Sequence, residues 1–301
     1  MSEAAAFRSG FACFVGRPNA GKSTLTNALV GEKVAIMSNM PQTTRRIIRG
    51  IVHRPDGQLV LVDTPGLHRP RTLLGERLND LVRETLADVD VIGFCLPANE
   101  RPGPGDRWIL REVRSLAPKT PIIAVVTKTD LVARTTLAQR LPEIASLAAF
   151  AEIVPVSAKK DDQVSLLADL FLQRMPAGPP LYPDGDVTDE TQEMRIAELI
   201  REAALEGVRD ELPHSLAVLI EEMGPREGRS DLIDVYAVIF VERQTQKAIV
   251  IGHQGSRLKD VGTRARVEIE ALVGSRVYLD LRVKIAKDWQ RDPKQMQRLG
   301  F

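Results

Sequence analysis

Gly16-Arg17-Pro18-Asn19-Ala20-Gly21-Lys22-Ser23 is the segment that most restricts what this chain can become. It matches G-x-x-x-x-G-K-[ST] and stands where that pattern carries meaning, after an apolar run at 11–15 and at the head of a helical pattern over 22–30. Glycines let a backbone wrap close to phosphate oxygens, and loop amides with a helix N-terminus offer donors and partial positive charge to an anion. Lys22 is expected to bridge the β- and γ-phosphates of a nucleotide. Ser23 is expected on Mg²⁺, with Thr24 beside it in the first helical turn.

Such a loop needs a parallel sheet behind it, and the first 175 residues read as one. Candidate strands lie at 11–15, 47–52, 59–62, 91–96, 122–126 and 153–156, several apolar on both faces. Helical patterns fall around 22–30, 73–87, 106–116, 136–148 and 162–173. That alternation predicts an α/β domain with a doubly wound sheet and a ligand at the carboxyl ends of its strands. With 301 residues, about two domains are expected. Four prolines and two glycines within 175–185 break the periodicity and read as a stiff linker. The expected division is a first domain over 1–175, a linker over 176–188 and a second domain over 189–301. In the latter, Asp189-x-x-Gln192 reads as a helix cap before Met194, Ala197, Ile200, Ala204 and Val208 at helical spacing. Apolar runs at 216–220 and 235–241, a short helix at 247–251, a helix over 256–272 and a strand at 277–283 follow, giving helix, strand, strand, helix, helix, strand.

Three further motifs stand at strand ends. Asp63-Thr64-Pro65-Gly66 follows 59–62; a carboxylate there can hold Mg²⁺ through water, and the Gly66 amide can contact a γ-phosphate. Thr127-Lys128-Thr129-Asp130 ends 122–126, where Asp130 can accept from both N1 and N2 of guanine. Adenine lacks that donor pair and would strand the carboxylate. Ser157-Ala158-Lys159 follows the next strand and can present a backbone amide to the guanine carbonyl. Together these make a GTP-binding constellation. The histidines His53, His68 and His214 lack the clustering of metal ligands, and no Cys/His zinc spacing or Ser/His/Asp arrangement is present.

The net charge of +1 hides segregation. Residues 1–180 carry 23 Lys+Arg against 18 Asp+Glu, 181–241 carry 5 against 15, and 242–301 carry 13 against 7, or +5, −10 and +6. A basic final segment is compatible with nucleic acid, whereas the acidic middle would repel phosphates. Cys13 and Cys95 sit in apolar runs and read as buried thiols of a reducing compartment. No apolar stretch reaches the ~20 residues of a membrane span, and the N-terminus lacks the pattern of a signal peptide, so a cytoplasmic protein is expected.

With these motifs in this order, the chain resembles the translation-factor-related GTPases, and among them the Era-type family of bacterial ribosome-assembly GTPases. The resemblance spans nearly the whole chain. It takes in Pro41-Gln42-Thr43-Thr44-Arg45 as the first switch and Gly252-His253-Gln254-Gly255 as the Gly-x-x-Gly loop of a type II KH domain. It also takes in the closing Trp289-Gln290-Arg291-Asp292-Pro293. It implies a P-loop GTPase domain with a mixed sheet followed by a small α+β KH domain. It further implies Mg²⁺-dependent hydrolysis of GTP to GDP, binding of 16S rRNA near its 3′ end, maturation of the 30S subunit and some peripheral membrane association. A monomer is expected. Thr44, rather than Thr43, is the switch residue expected beside Lys22, Ser23 and Mg²⁺. Similar GTPases recruit K⁺ through a loop asparagine, and Asn19 matches it. Leu67 stands where many GTPases place a water-orienting glutamine, so turnover is expected to be slow.

The family usually has asparagine at the position of Thr127, and a shorter hydroxyl is expected to weaken guanine binding or the tether to the phosphate loop. His253 and Gln254 carry no charge when the histidine is neutral, so phosphate contacts on the RNA side fall to Lys247, Arg257 and Lys259. Few aromatics stand in this region, and groove packing is expected to outweigh base stacking. Two other readings stay open on the sequence: an RNA-binding scaffold that binds GTP with negligible turnover, and a P-loop ATPase with a fortuitous tail.

Overall fold

The computed structural model describes residues 6–37, 44–65, 72–208 and 215–300. The chain forms two compact units, one built mainly on residues up to Asp189 and the other mainly on those from Glu190 onward. The first unit has a six-stranded sheet in the order β2-β3-β1-β4-β5-β6. Its strands are β1 (Arg8–Val15), β2 (Ile48–Arg54), β3 (Gly57–Asp63), β4 (Val91–Pro97), β5 (Ile122–Thr127) and β6 (Glu152–Pro155). All pairs are parallel except β2 with β3, which a two-residue turn at Pro55-Asp56 makes antiparallel. The sheet is therefore mixed and doubly wound, as its alternating pattern requires.

The strands are apolar on both faces because both faces are covered. Ala12 and Phe14 of β1 point into one cluster with Leu59, Leu61, Leu167 and Phe171. Cys13 and Val15 point into the other with Val62, Ile92, Phe94, Val113 and Ile144. The first cluster is closed by α1 (Lys22–Val30) and α5 (Val164–Leu172); the second by α2 (Leu73–Asp88), α3 (Pro104–Leu116) and α4 (Arg134–Ala145). All seven residues of β3 and of β4 are buried, and these strands flank β1. Since β3 lies on one side of β1 and β4 on the other, the carboxyl end of β1 is a switch point where an open α/β sheet forms a crevice.

The proline-rich stretch does not leave the unit directly. Ser9 N donates to Pro176 O at 3.1 Å and Gly178 N to Phe7 O at 3.0 Å. Gln58 accepts at Oε1 from Leu181 N (2.6 Å) and Tyr182 N (2.9 Å), and its Nε2 donates to Tyr182 O (2.8 Å). Ile51 N donates to Val187 O at 2.9 Å, and Arg49 pairs with Asp189 at 2.7 Å. Residues 176–189 thus form a strap along the edge of the sheet. His53 belongs to it, with Nε2 2.8 Å from Asp186 O.

The second unit runs α6 (Gln192–Leu205), β7 (Ala217–Arg226), β8 (Arg229–Val241), α7 (Gln244–Ile251), α8 (Ser256–Val273), β9 (Arg276–Ile285) and α9 (Pro293–Arg298). Its sheet is β7-β8-β9, antiparallel then parallel. This is the helix and strand order expected of a type II KH domain. The cap of α6 is Thr191, whose hydroxyl accepts from Met194 N, and not Asp189, whose carboxylate is taken by Arg49. Ile196, Ile200, Val235, Val250, Val261, Ala265 and Ile269 are buried. Trp289 is fully buried and donates through Nε1 to Ser215 O at 2.9 Å, so the closing Trp-Gln-Arg-Asp-Pro segment anchors the end of the chain in the core. No helix among the described residues is long and apolar enough to cross a membrane.

Candidate nucleotide-binding site and nucleic-acid interface

The loop 16–21 joins β1 to α1 at the switch point. At Gly16 a Cβ would lie 2.7 Å from the Cys95 carbonyl oxygen, so only a glycine lets the loop pass this close to β4. Gly21 caps α1 in the left-handed region, with φ 91°. Asn19 is left-handed as well, with φ 62°. The Lys22 ammonium lies over its own loop, donating to Gly16 O and Arg17 O at 3.2 Å each. Burial lowers the Lys22 pKa, opposed by the charge of Asp63 and, more weakly, Cys95. An anionic ligand here would relieve the cost of burying that charge.

Ser23, Thr44 and Asp63 converge. Ser23 Oγ donates to Asp63 Oδ2 at 2.8 Å, Thr44 Oγ1 donates to the same oxygen at 3.0 Å, and the two hydroxyls are 3.1 Å apart. Asp63 is fully buried at the end of β3. Burial raises its pKa, against Lys22 and the two hydroxyl bonds. Its Oδ1 is buried with no hydrogen-bond partner among the described residues. Three oxygens on two hydroxyls and a carboxylate, one further carboxylate oxygen unsatisfied, are the donor set of a hard cation such as Mg²⁺. Thr64 turns away and donates to Phe14 O at 3.2 Å. Gly66, Leu67, Thr43 and the rest of 38–43 and 66–71 lie outside the described residues, as does His214.

The carboxyl end of β5 is fastened to this loop. Thr127 Oγ1 donates to Ala20 O at 2.7 Å, and Lys128 Nζ donates to Asn19 O at 2.7 Å. The short hydroxyl reaches the loop because the end of β5 runs beside it. Ser157 Oγ donates to Asp130 Oδ1 at 2.7 Å and also accepts from Lys160 N at 3.2 Å. Asp130 is thereby oriented by the turn that holds Ala158 and Lys159. Lys22, Asp63, Thr127 and Ser157 therefore all stand at the carboxyl ends of the strands. Cys95 is buried behind it, its thiol pushed up to about 12 chiefly by burial. Among the described residues no three His, Cys, Asp or Glu form a metal cluster.

One partner set was not foreseen. Arg17 pairs with Asp106 (2.7 Å) and Glu100 (2.9 Å), away from the lysine. The signal was present: Gly103-Pro104-Gly105-Asp106 has the spacing of a helix start, with an acidic residue three places on.

In the second unit, α7 ends at Gly252, residues 253–255 make one tight helical turn, and α8 begins at Ser256. His253 and Gln254 are exposed at the tip, Gln254 left-handed with φ 49°. Lys259 is exposed and Lys247 half-buried on flanking helices. Arg257 differs: its Nη2 donates to Ala204 O (3.1 Å) and Glu206 O (2.9 Å) at the end of α6. Its Nη2 is thus held inside the unit. Ile249, grouped in the sequence with the buried Val250, is instead 50 % exposed one turn before Gly252.

A family described as 50S ribosome-binding GTPase matches residues 11–128, and a KH domain family matches 211–290. GTPase Era of Streptomyces coelicolor is 66 % identical over 302 residues, covering 98 % of this chain and 95 % of that protein. GTPase Era of Mycobacterium sp. strain KMS is 65 % identical over 302 residues and covers the whole of both chains. A crystal structure of Era with MgGDPNP and nucleotides 1506–1542 of 16S ribosomal RNA superposes with a TM-score of 0.93 at 36 % identity, over 98 % of this chain and 99 % of that one. A point variant of Aquifex aeolicus Era bound to GDP·AlF₄⁻ gives 0.93 at 35 % identity, with the same coverage. Sequence likeness of this extent, over nearly the whole length of both chains, makes the chain a member of the Era family of GTPases.

Proposed function

We propose that this protein is a GTP-hydrolysing switch that binds 16S rRNA near its 3′ end and assists maturation of the small ribosomal subunit. The observation that carries the reading is the pair of bonds from Thr127 and Lys128 to the loop carbonyls of Ala20 and Asn19. They bind the base-reading strand end to the phosphate loop, so that Lys22 and Asp130 serve one guanine nucleotide. In this reading residues 16–24 cradle the phosphates, with Lys22 neutralising charge. The turn Asp63-Thr64-Pro65-Gly66 senses the γ-phosphate through the Gly66 amide, with the Thr64 hydroxyl held by Phe14 O. Thr127, Lys128, Asp130 and the 157–159 turn hold the base. Ser23, Thr44 and Asp63 would hold Mg²⁺, which when bound neutralises charge on the phosphates. Asn19 would hold K⁺, which would add positive charge beside the phosphates. Leu67 cannot orient water, so intrinsic turnover is slow.

A relative bound to nucleotides 1506–1542 of 16S rRNA points to the RNA partner, and the second unit supplies the means: a Gly-x-x-Gly turn with Lys247 and Lys259 beside it and the apolar Ile249 exposed next to it. The working division is 1–175 for nucleotide and 189–301 for RNA, joined through the strap. The protein works as a monomer in the cytoplasm, in part at the inner face of the cell membrane.

Competition of GTP and ATP for the site tests the reading, with Lys22→Ala as the control and hydrolysis followed in K⁺ and Na⁺ at equal ionic strength. GTP should win, the variant should lose nucleotide, and K⁺ should support the faster hydrolysis. ATP binding as tightly as GTP, or undiminished affinity in Lys22→Ala, would overturn it.

A further inference from the structure

Arg17 is the second residue of the phosphate loop, yet its side chain is directed at α3. Its Nε meets Asp106 Oδ1 at 2.7 Å, and its Nη2 meets Glu100 Oε2 at 2.9 Å. The Asp106 side chain is fully buried, whereas Glu100 is 46 % exposed. Asp106 also accepts from Gly103 N at 2.7 Å through its other oxygen and so caps its own helix. Arg17's backbone carbonyl in turn accepts from Lys22 Nζ and from Ala20 N, each at 3.2 Å. One residue thus ties the loop's lysine, the loop's own turn and the start of α3 together.

We propose that Arg17 is a positioning residue: its ion pair with Asp106 holds the phosphate loop against α3 in the shape that receives the β-phosphate, and its guanidinium does not touch the nucleotide. The inference rests on the nucleotide-binding reading above. Glu100 is exposed and screened, so its pair contributes little. Asp106 has no access to water, and swinging Arg17 toward a phosphate would leave a buried carboxylate without its cation. The pair therefore has one stable arrangement, and the loop inherits it. Without the anchor the loop visits other shapes, and phosphate affinity falls by the fraction of time it spends in them.

Displacement of a fluorescent GDP by GDP and by GMP, on the full chain, separates the possibilities. GMP keeps the base contacts but lacks the β-phosphate. Arg17→Met and Asp106→Asn should each weaken GDP by roughly tenfold, with GMP little changed, so the preference for GDP over GMP falls. Asp106→Asn retains an acceptor for the Gly103 amide, so α3 keeps its cap. The double variant should be no weaker than the weaker single one, and Arg17→Lys should recover part of the loss. Four results would overturn the inference: losses that multiply in the double variant, equal weakening of GDP and GMP, unchanged GDP affinity in Arg17→Met, or weakening by Arg17→Met with none from Asp106→Asn, the pattern of a direct phosphate ligand. A parent chain that bound no GDP would remove the nucleotide reading itself and this inference with it.

Discussion

Thr127 ends β5, and its single hydroxyl joins that strand to the phosphate loop by donating to Ala20 O at 2.7 Å. The contact is buried, so losing the donor strands a carbonyl that water cannot reach. Thr127→Val keeps the shape and removes only that donor. It should cost about 1–3 kcal/mol, part of it in folding and part in nucleotide affinity, because the Lys128 tether survives. Fluorescence titration with GDP should show affinity falling by up to about tenfold, with Thr127→Ser close to the parent; a Thr127→Val protein as tight as the parent would mean that the bond is idle. The identity of this residue was legible in the sequence, and so was its place at a strand end. Its adequacy was not, because whether a hydroxyl reaches depends on how near β5 passes the loop, and no spacing encodes that. Arg257 teaches the same lesson in reverse: its charge pointed to phosphate, but folding brings the end of α6 within its reach.

Among elements, strands and helices with strong apolar periodicity fell close to where the pattern put them, while half-exposed ones did not. β7 runs on from the apolar 216–220 to Arg226, and β8 begins at Arg229, well before the run at 235–241. Both extensions carry carboxylates, such as Glu221, Glu222, Asp231 and Asp234, on a hairpin closed by Gly228 with φ 75°. A reading keyed to apolar runs stops where one face meets water. The strap was also illegible, since proline and glycine content marks a segment without periodicity but not what it lies upon. Gln58 decides the matter, being 1 % exposed and bonded three times to Leu181 and Tyr182. Gln58→Leu removes all three bonds at once. The strap can then re-expose its amides to water by peeling off, so the cost is local and bounded. Limited proteolysis should cut between 176 and 189 markedly faster than in the parent, with a midpoint of thermal unfolding only a few degrees lower. Unchanged proteolysis would show that the other bonds to Ser9, Phe7 and Ile51 hold the strap without Gln58.

For the molecule as a whole, charge is distributed by task. The acidic stretch 181–241 lies on the strap, on α6 and on the β7–β8 hairpin, and the basic stretch 242–301 includes the Gly-x-x-Gly turn. Net charge alone overstates what that turn can offer an RNA. Arg257 is bonded to backbone carbonyls, and Arg264 is paired with Asp260 at 2.6 Å and with Glu206. Lys247 and Lys259 are left without a side-chain partner among the described residues and flank the turn from either side. If these two lysines neutralise phosphates of a single strand, each releases counterions on binding, and each should contribute about 0.7 to the slope of log affinity against log salt. Lys247→Ala with Lys259→Ala should therefore lower that slope by about 1.4 for an RNA carrying the 3′ end of 16S rRNA, and weaken binding most at low salt. GDP affinity should stay at the parent value, because neither lysine belongs to the nucleotide site. Arg257→Ala should act differently: it removes no phosphate contact, so the slope should hold while the loss is felt at every salt concentration, through an α6 whose last carbonyls are no longer bonded. A slope that drops as much for Arg257→Ala as for the lysines would mean that the guanidinium leaves α6 when RNA arrives.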